Sequence, residues 1–191
     1  MKERTFHIDS VKEFAFVITM GALGNVLALS ASYLGNIHPQ IALDLSHIAT
    51  FIVALNLGAI TGFATGCIAG IFTYYRFGLA GYYGPIVGLP IIPLKGITGL
   101  FSGLLAKRAR PFFAVTLGFI PECVGTFLYM KYFTALFLPI EITQYITMSL
   151  IIGVLIKAWV EIGILGLLME ILQRNQALRN FMNSIRAKYK N

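Results

Sequence analysis

From Leu45 to Tyr75 the chain carries no Asp, Glu, Lys or Arg, and within that run glycine recurs every fourth residue, at Gly58, Gly62, Gly66 and Gly70. Spacing of i, i+4 puts these glycines on one helical face, where the missing side chains let a neighbouring helix approach closely. Close packing is the simpler reading of the stripe, ahead of a direct functional role. A turn at Asn56–Gly58 divides the run, and the polar Asp44, Ser46 and His47 open it.

The composition extends this pattern to the whole chain. Of 191 residues 57% are hydrophobic and only 12% are charged, whereas a soluble domain carries about 25% charged residues. The expected class is therefore an all-α integral membrane protein. A span needs about 20 apolar residues. The apolar runs predict six transmembrane helices, at about 13–35, 44–57, 59–76, 90–107, 111–133 and 146–173, in a single membrane domain covering 1–191. The second and third are short. Pro121 falls inside the fifth and predicts a kink there. Cys67 and Cys123 lie in apolar stretches without a C-x-x-C or Cys/His cluster, so they read as small buried hydrophobes.

A net charge of +7 would suggest nucleic acid in a soluble chain, but here the basic residues gather at helix ends. Lys2, Arg4 and Lys12 precede helix one. Lys107, Arg108 and Arg110 separate helices four and five, and Arg174, Arg179, Arg186, Lys188 and Lys190 follow helix six. With six spans all of these share one side, and the positive-inside rule makes both termini cytoplasmic. No nucleic acid partner is expected. Acidic residues flank helix one and its apolar region is long, which argues against a cleaved signal peptide. The tail 174–191 is basic and amphipathic. It reads either as a helix dipping Phe181, Met182 and Ile185 into the inner leaflet or as a solvated end.

Ionisable groups within a bilayer are costly, so each is a candidate site. Lys95 falls near the outer end of helix four, Glu122 midway along helix five, and Lys157 with Glu161 in the outer to middle part of helix six. The first outer loop would fold over the same end with His38, Asp44 and His47, and the second adds Tyr82 and Tyr83. A few convergent polar groups among aromatic walls are what a small-molecule pocket needs. Structural readings stand beside this one. Lys157 and Glu161 are i, i+4 and can neutralise each other. Glu122 can pair with Lys95 for folding alone. His47 can belong to a helix cap in which Asp44 or Ser46 satisfies free N–H groups. Both lysines would suit a carboxylate or phosphate on the ligand, while the glutamates would offset them and leave room for a neutral compound.

No catalytic residue, metal or cofactor is expected. Asp44, Ser46 and His47 fall within one turn, too close together for a triad. There is neither an H-E-x-x-H nor a G-x-x-x-x-G-K-[ST] motif.

Across nearly its whole length the chain resembles the S components of energy-coupling factor transporters, the substrate-capturing membrane subunits for vitamins. The residues that carry the resemblance are Ala42–Gly70, with Asp-Leu-Ser-His leading into the glycine-rich helix, Pro93–Arg108, and Lys157 in the last helix. The resemblance implies a water-soluble vitamin or related micronutrient as ligand. It also implies, as partners in the lipid bilayer and beneath it, a membrane coupling protein with two cytoplasmic ATPases. The family often has Ala-x-x-x-Ala in helix one on the face toward the coupling protein. This chain has no such pair there, and its nearest equivalent is the row Gly24, Ala28 and Ser32, with Gly21 and Ala22 closer to the cytoplasm. The alternative from another class is a structural, scaffold-type membrane subunit, followed by a small membrane enzyme.

Overall fold

The computed structural model describes residues 11–34, 36–38, 41–42, 44–81, 84–137, 140–144 and 146–186. Helix α1 (Val11–Leu34) leads into a short antiparallel pair, β1 (Asn36–His38) and β2 (Ile41–Ala42). Then come α2 (His47–Leu57), α3 (Ala59–Tyr74) continued by a π-helical turn (Tyr75–Leu79), α4 (Gly84–Gly88) and α5 (Ile91–Leu105). Next are α6 (Pro111–Gly118) and α7 (Ile120–Leu128), followed by a second π turn (Tyr129–Phe133) and the single-turn α8 (Thr134–Phe137) and α9 (Ile140–Thr143). The long α10 (Met148–Leu172) and the tail helix α11 (Gln176–Arg186) complete the chain. The break between α6 and α7 at Phe119 falls one turn before Cys123 and beside Pro121, where the ring removes a backbone donor.

Among the described residues, four helical stretches are long and apolar enough to cross a bilayer: Val11–Tyr33, Gly84–Leu105, Pro111–Leu136 and Met148–Leu172. This corrects the expectation of six spans. Helix α2 has 11 residues, a rise of about 16 Å against roughly 30 Å of hydrocarbon. Its Ala49, Phe51, Val53 and Ala54 are all 0% exposed, so its apolarity serves the protein interior rather than lipid. Helix α3 has 16 residues and buries Thr61, Thr65 and Thr73 together with its glycines, which lowers its hydropathy and turns it inward. The four long stretches carry most of the outward apolar surface. Phe14, Leu23 and Val26 of α1 and Ile156, Val160, Ile164, Leu167 and Ile171 of α10 are exposed, and bands of this size need lipid to cover them. The protein is membrane-embedded.

The interior has two apolar clusters. Phe51, Val115, Phe119, Ile162, Leu165 and Met169 join α2, α6 and α10, and Val17, Met20, Ala49 and Val53 join α1 to α2. Between them α3 lies on α5, and the glycine stripe is their contact. A Cβ at Gly62 would stand 2.6 Å from the Gly99 carbonyl oxygen, and one at Gly66 would run into the Lys95 carbonyl. Gly99 and Gly103 meet Gly62 and Ala59 in return. Gly58 has φ of 111°, a conformation open to glycine, and it makes the sharp turn from α2 into α3.

Helix α1 packs on α3 in the same way. A Cβ at Gly21 would meet Ile68, one at Gly24 would meet Ala69, and Ala28 is buried. The Asn25 amide donates to the Ile68 carbonyl at 2.8 Å and accepts from the Phe72 N–H at 2.8 Å. Gly21 and Gly24, expected to meet a coupling protein, are thus covered by α3 within the chain, Ala28 is buried beside them in sequence, and Ala22 is exposed. The tail is also corrected. Met182 and Ile185 of α11 are buried against the protein, and Phe181 meets Phe16 of α1 edge-on at 5.9 Å, so the helix docks on the bundle instead of dipping freely into lipid.

This packing makes a differential prediction. Gly99→Ala forces a Cβ into the α3 backbone and costs about 1–3 kcal/mol by overpacking. Gly163→Ala in α10 meets nothing within 4 Å and gains up to about 1 kcal/mol of helix propensity. Thermal unfolding in detergent should rank Gly163→Ala at or above wild type and Gly99→Ala well below it. Equal melting of the two variants would refute the close α3–α5 contact.

Candidate functional site

A cavity of about 170 Å³ lies at the end of the bundle where α2 begins, between the α4–α5 corner, α7 and α10. Its volume is many times what one water molecule requires. Polar side chains from five places meet on it: Asp44 from the segment before α2, His47 from the first turn of α2, Lys95 from α5, Glu122 from α7, and Lys157 with Glu161 from α10. The remaining wall is largely apolar, with Phe77, Leu94, Phe119, Tyr129 and Ile162 among its residues.

Lys95 is the centre of the first polar cluster and is 3% exposed. Its ammonium donates to Asp44 Oδ2 at 2.5 Å, to Thr73 Oγ1 at 3.1 Å and to Ser46 Oγ. These three partners use all three donors of the group. Asp44 also accepts from the Ser46 N–H at 3.0 Å and from the Thr73 hydroxyl at 3.3 Å. Burial alone would push the Asp44 carboxyl up. Lys95 and the neighbouring His47, with hydrogen bonds from Lys95 and Ser46, outweigh that and hold it well below the usual carboxylate range.

The second cluster lies on α10. Lys157 Nζ pairs with Glu161 Oε2 at 2.7 Å, the i, i+4 arrangement that the spacing allows. The other oxygen of Glu161 accepts from the Asp44 N–H at 3.0 Å. Glu161 therefore ties the segment before α2 to the last long helix.

In the third cluster Glu122 takes partners other than Lys95, the structural alternative open to it in the sequence. Glu122 accepts from the Thr98 hydroxyl through Oε2 and faces His47 Nε2 with Oε1 at 3.6 Å. Thr98 is one turn beyond Lys95 on the same helix, so spacing along α5 was the signal for it. His47 stacks on Phe51 at 5.5 Å and meets Phe119 edge-on at 6.4 Å. Ser46 flanks α2 without a side-chain capping bond, whereas Asp44 accepts the Ser46 N–H, so of the two expected capping residues only Asp44 bonds a free N–H, while it also holds Lys95.

Six of the nine expected site residues thus line one cavity. Asp44 and His47, expected in a covering loop, are part of its buried floor. Of His38 only the backbone, in β1, is described, and Tyr82 and Tyr83 lie outside the described residues. Thr73, Thr98, Phe119 and Tyr129 were not anticipated. They carry no formal charge, and apart from the Lys95–Thr98 spacing nothing in an apolar run distinguishes them from packing residues. Among the described residues no group of three His, Cys, Asp or Glu side chains is placed to hold a metal ion. No family model, curated protein or solved structure matches the chain.

The Lys95–Asp44 pair is open to a direct test. Lys95→Met leaves a buried carboxylate without its counter-ion and should cost about 3–5 kcal/mol. Adding Asp44→Asn removes the orphaned charge and should restore much of the loss. A double-mutant cycle on thermal stability reads the coupling directly. Simple additivity of the two losses would mean that they do not act as a pair.

Proposed function

We propose that this chain is the substrate-capturing subunit of an importer of the energy-coupling factor type, binding a water-soluble vitamin or related micronutrient. The observation that carries the reading is the convergence of six ionisable side chains from five segments on one largely apolar cavity. Apolar walls with a few placed polar groups are what holds and orients a small molecule. Charges at this depth are kept at a cost, and packing alone gives no reason to gather so many around an open space. The resemblance of Ala42–Gly70, Pro93–Arg108 and Lys157 to S components adds the transporter identity and the partners, a coupling protein in the cell membrane and two cytoplasmic ATPases. Because Gly21 and Gly24 of α1 are covered by α3 and Ala28 is buried, the docking face for the coupling protein lies elsewhere.

Among the described residues Lys157 has one donor on Glu161, which leaves two for a ligand acceptor. The purified chain should carry a small molecule detectable by native mass spectrometry. Lys157→Met should weaken its retention by about 1.5–3 kcal/mol, the range for a hydrogen bond to a charged group. The isolated chain should show no ATPase activity, and uptake in cells should depend on a coupling protein and ATPases. Accumulation of substrate by this chain in cells without them would overturn the importer assignment. Ligand-free protein with unaltered partners in a Lys157→Met strain would favour a scaffold.

A further inference from the structure

The charges around the cavity do not balance by pairs of carboxylate and ammonium. Asp44 takes up Lys95, and Glu161 takes up Lys157. Glu122 is the third carboxylate, and no lysine or arginine pairs with it among the described residues. Its Oε2 has the Thr98 hydroxyl. Its Oε1 faces His47 Nε2 at 3.6 Å, which is longer than a hydrogen bond. That oxygen therefore keeps acceptor capacity on the wall of an apolar cavity.

We infer that the cavity takes a compound carrying a protonated nitrogen, with Glu122 as its counter-ion. This deepens the reading of the cavity as a ligand pocket and rests on it. Two features favour a cation over the anion that a count of two lysines suggests. Lys95 has no donor left, because Asp44, Ser46 and Thr73 use all three. The Lys157 charge is already offset by Glu161. A carboxylate ligand would add a fourth negative charge beside three, in a region with little water to screen it. A protonated amine or ring nitrogen supplies a full positive charge and a donor at hydrogen-bond distance, where the His47 ring stands off at 3.6 Å. Phe77, Phe119 and Tyr129 line the same cavity, and an aromatic lining favours cations over anions. Lys157 then serves an acceptor, such as a carbonyl or hydroxyl, elsewhere on the same molecule.

Benzylammonium, benzyl alcohol and benzoate share one body and differ in charge, so they isolate the electrostatic part of recognition. The full chain in detergent at neutral pH is titrated with each. The readout is the fluorescence of Trp159, the single tryptophan, whose ring meets the cavity residue Phe119 edge-on at 5.4 Å. Benzylammonium should saturate about tenfold more tightly than either of the others, the lower end for one hydrogen bond to a charged group. Glu122→Gln, whose amide carbonyl still accepts from Thr98, should lose that preference. Benzoate or benzyl alcohol binding as tightly as benzylammonium in the wild type would overturn the charge assignment and leave the pocket standing. If none of the three saturates the wild-type protein, the pocket reading itself falls and this inference with it. The wild-type comparison decides the matter even if Glu122→Gln does not fold.

Discussion

A buried ammonium group on α5 fixes the relation between three parts of this molecule. Lys95 reaches Asp44 and Ser46 ahead of α2 and Thr73 near the end of α3, so its position determines where three separate segments can be. That reach depends on glycine. At Gly66 the absent side chain lets the backbone of α3 sit on the Lys95 carbonyl, and a Cβ at Gly70 would stand 3.4 Å from Lys95 Cδ. The stripe that packs α3 on α5 is thus also the groove along which the lysine stem runs to its partners. Packing and polar recognition are one structure here. A larger residue in the stripe would separate the helices and displace the ammonium group together.

The floor of the cavity inherits rigidity from this arrangement. His47 rests on Phe51, which is 0% exposed within the apolar cluster of α2, α6 and α10, so the imidazole has little freedom to turn. Glu161 adds a polar tie from α10 to the Asp44 backbone, and α10 otherwise shows much of its surface to lipid. The opposite wall is built differently. Two π-helical turns, Tyr75–Leu79 and Tyr129–Phe133, flank the cavity. Tyr129 joins α4 through one hydrogen bond from its hydroxyl to the Ile86 carbonyl, and Gly78 approaches Gly88 at backbone distance. Interruptions of the regular helical ladder of this kind are common beside functional sites. Adjustment to a ligand is cheapest on this side, where few buried contacts must change.

Much of this was legible in the residues, and the rest has identifiable physical causes. Glycines at i, i+4 pointed to close helix contact, and Lys157–Glu161 followed from one turn of separation. Charged residues in apolar runs marked the cavity, because their burial demands a reason. The number of spans was misjudged because an apolar run does not say what it is hidden from. Helix α2 is shielded by other helices and α10 by lipid, and the two sequences look alike in hydropathy. The same ambiguity affected Gly21, Gly24 and Ala28. Small residues announce a close neighbour without telling whether that neighbour is α3 or another protein.

Pairing was the hardest thing to read, and the reason bears on the ligand. Sequence offers two lysines and three carboxylates at comparable depth, and several pairings satisfy a simple count. Only three-dimensional placement distinguishes an ammonium with all donors occupied from one with donors in reserve. Lys95 attracts attention as a lone charge in an apolar helix, yet its donors hold the fold together. Glu122, with a hydroxyl on one oxygen and an imidazole beyond hydrogen-bond distance on the other, keeps the acceptor that a bound molecule can use. Specificity in a cavity like this is set by what its polar groups still lack after folding, and here the unfilled acceptor belongs to a carboxylate.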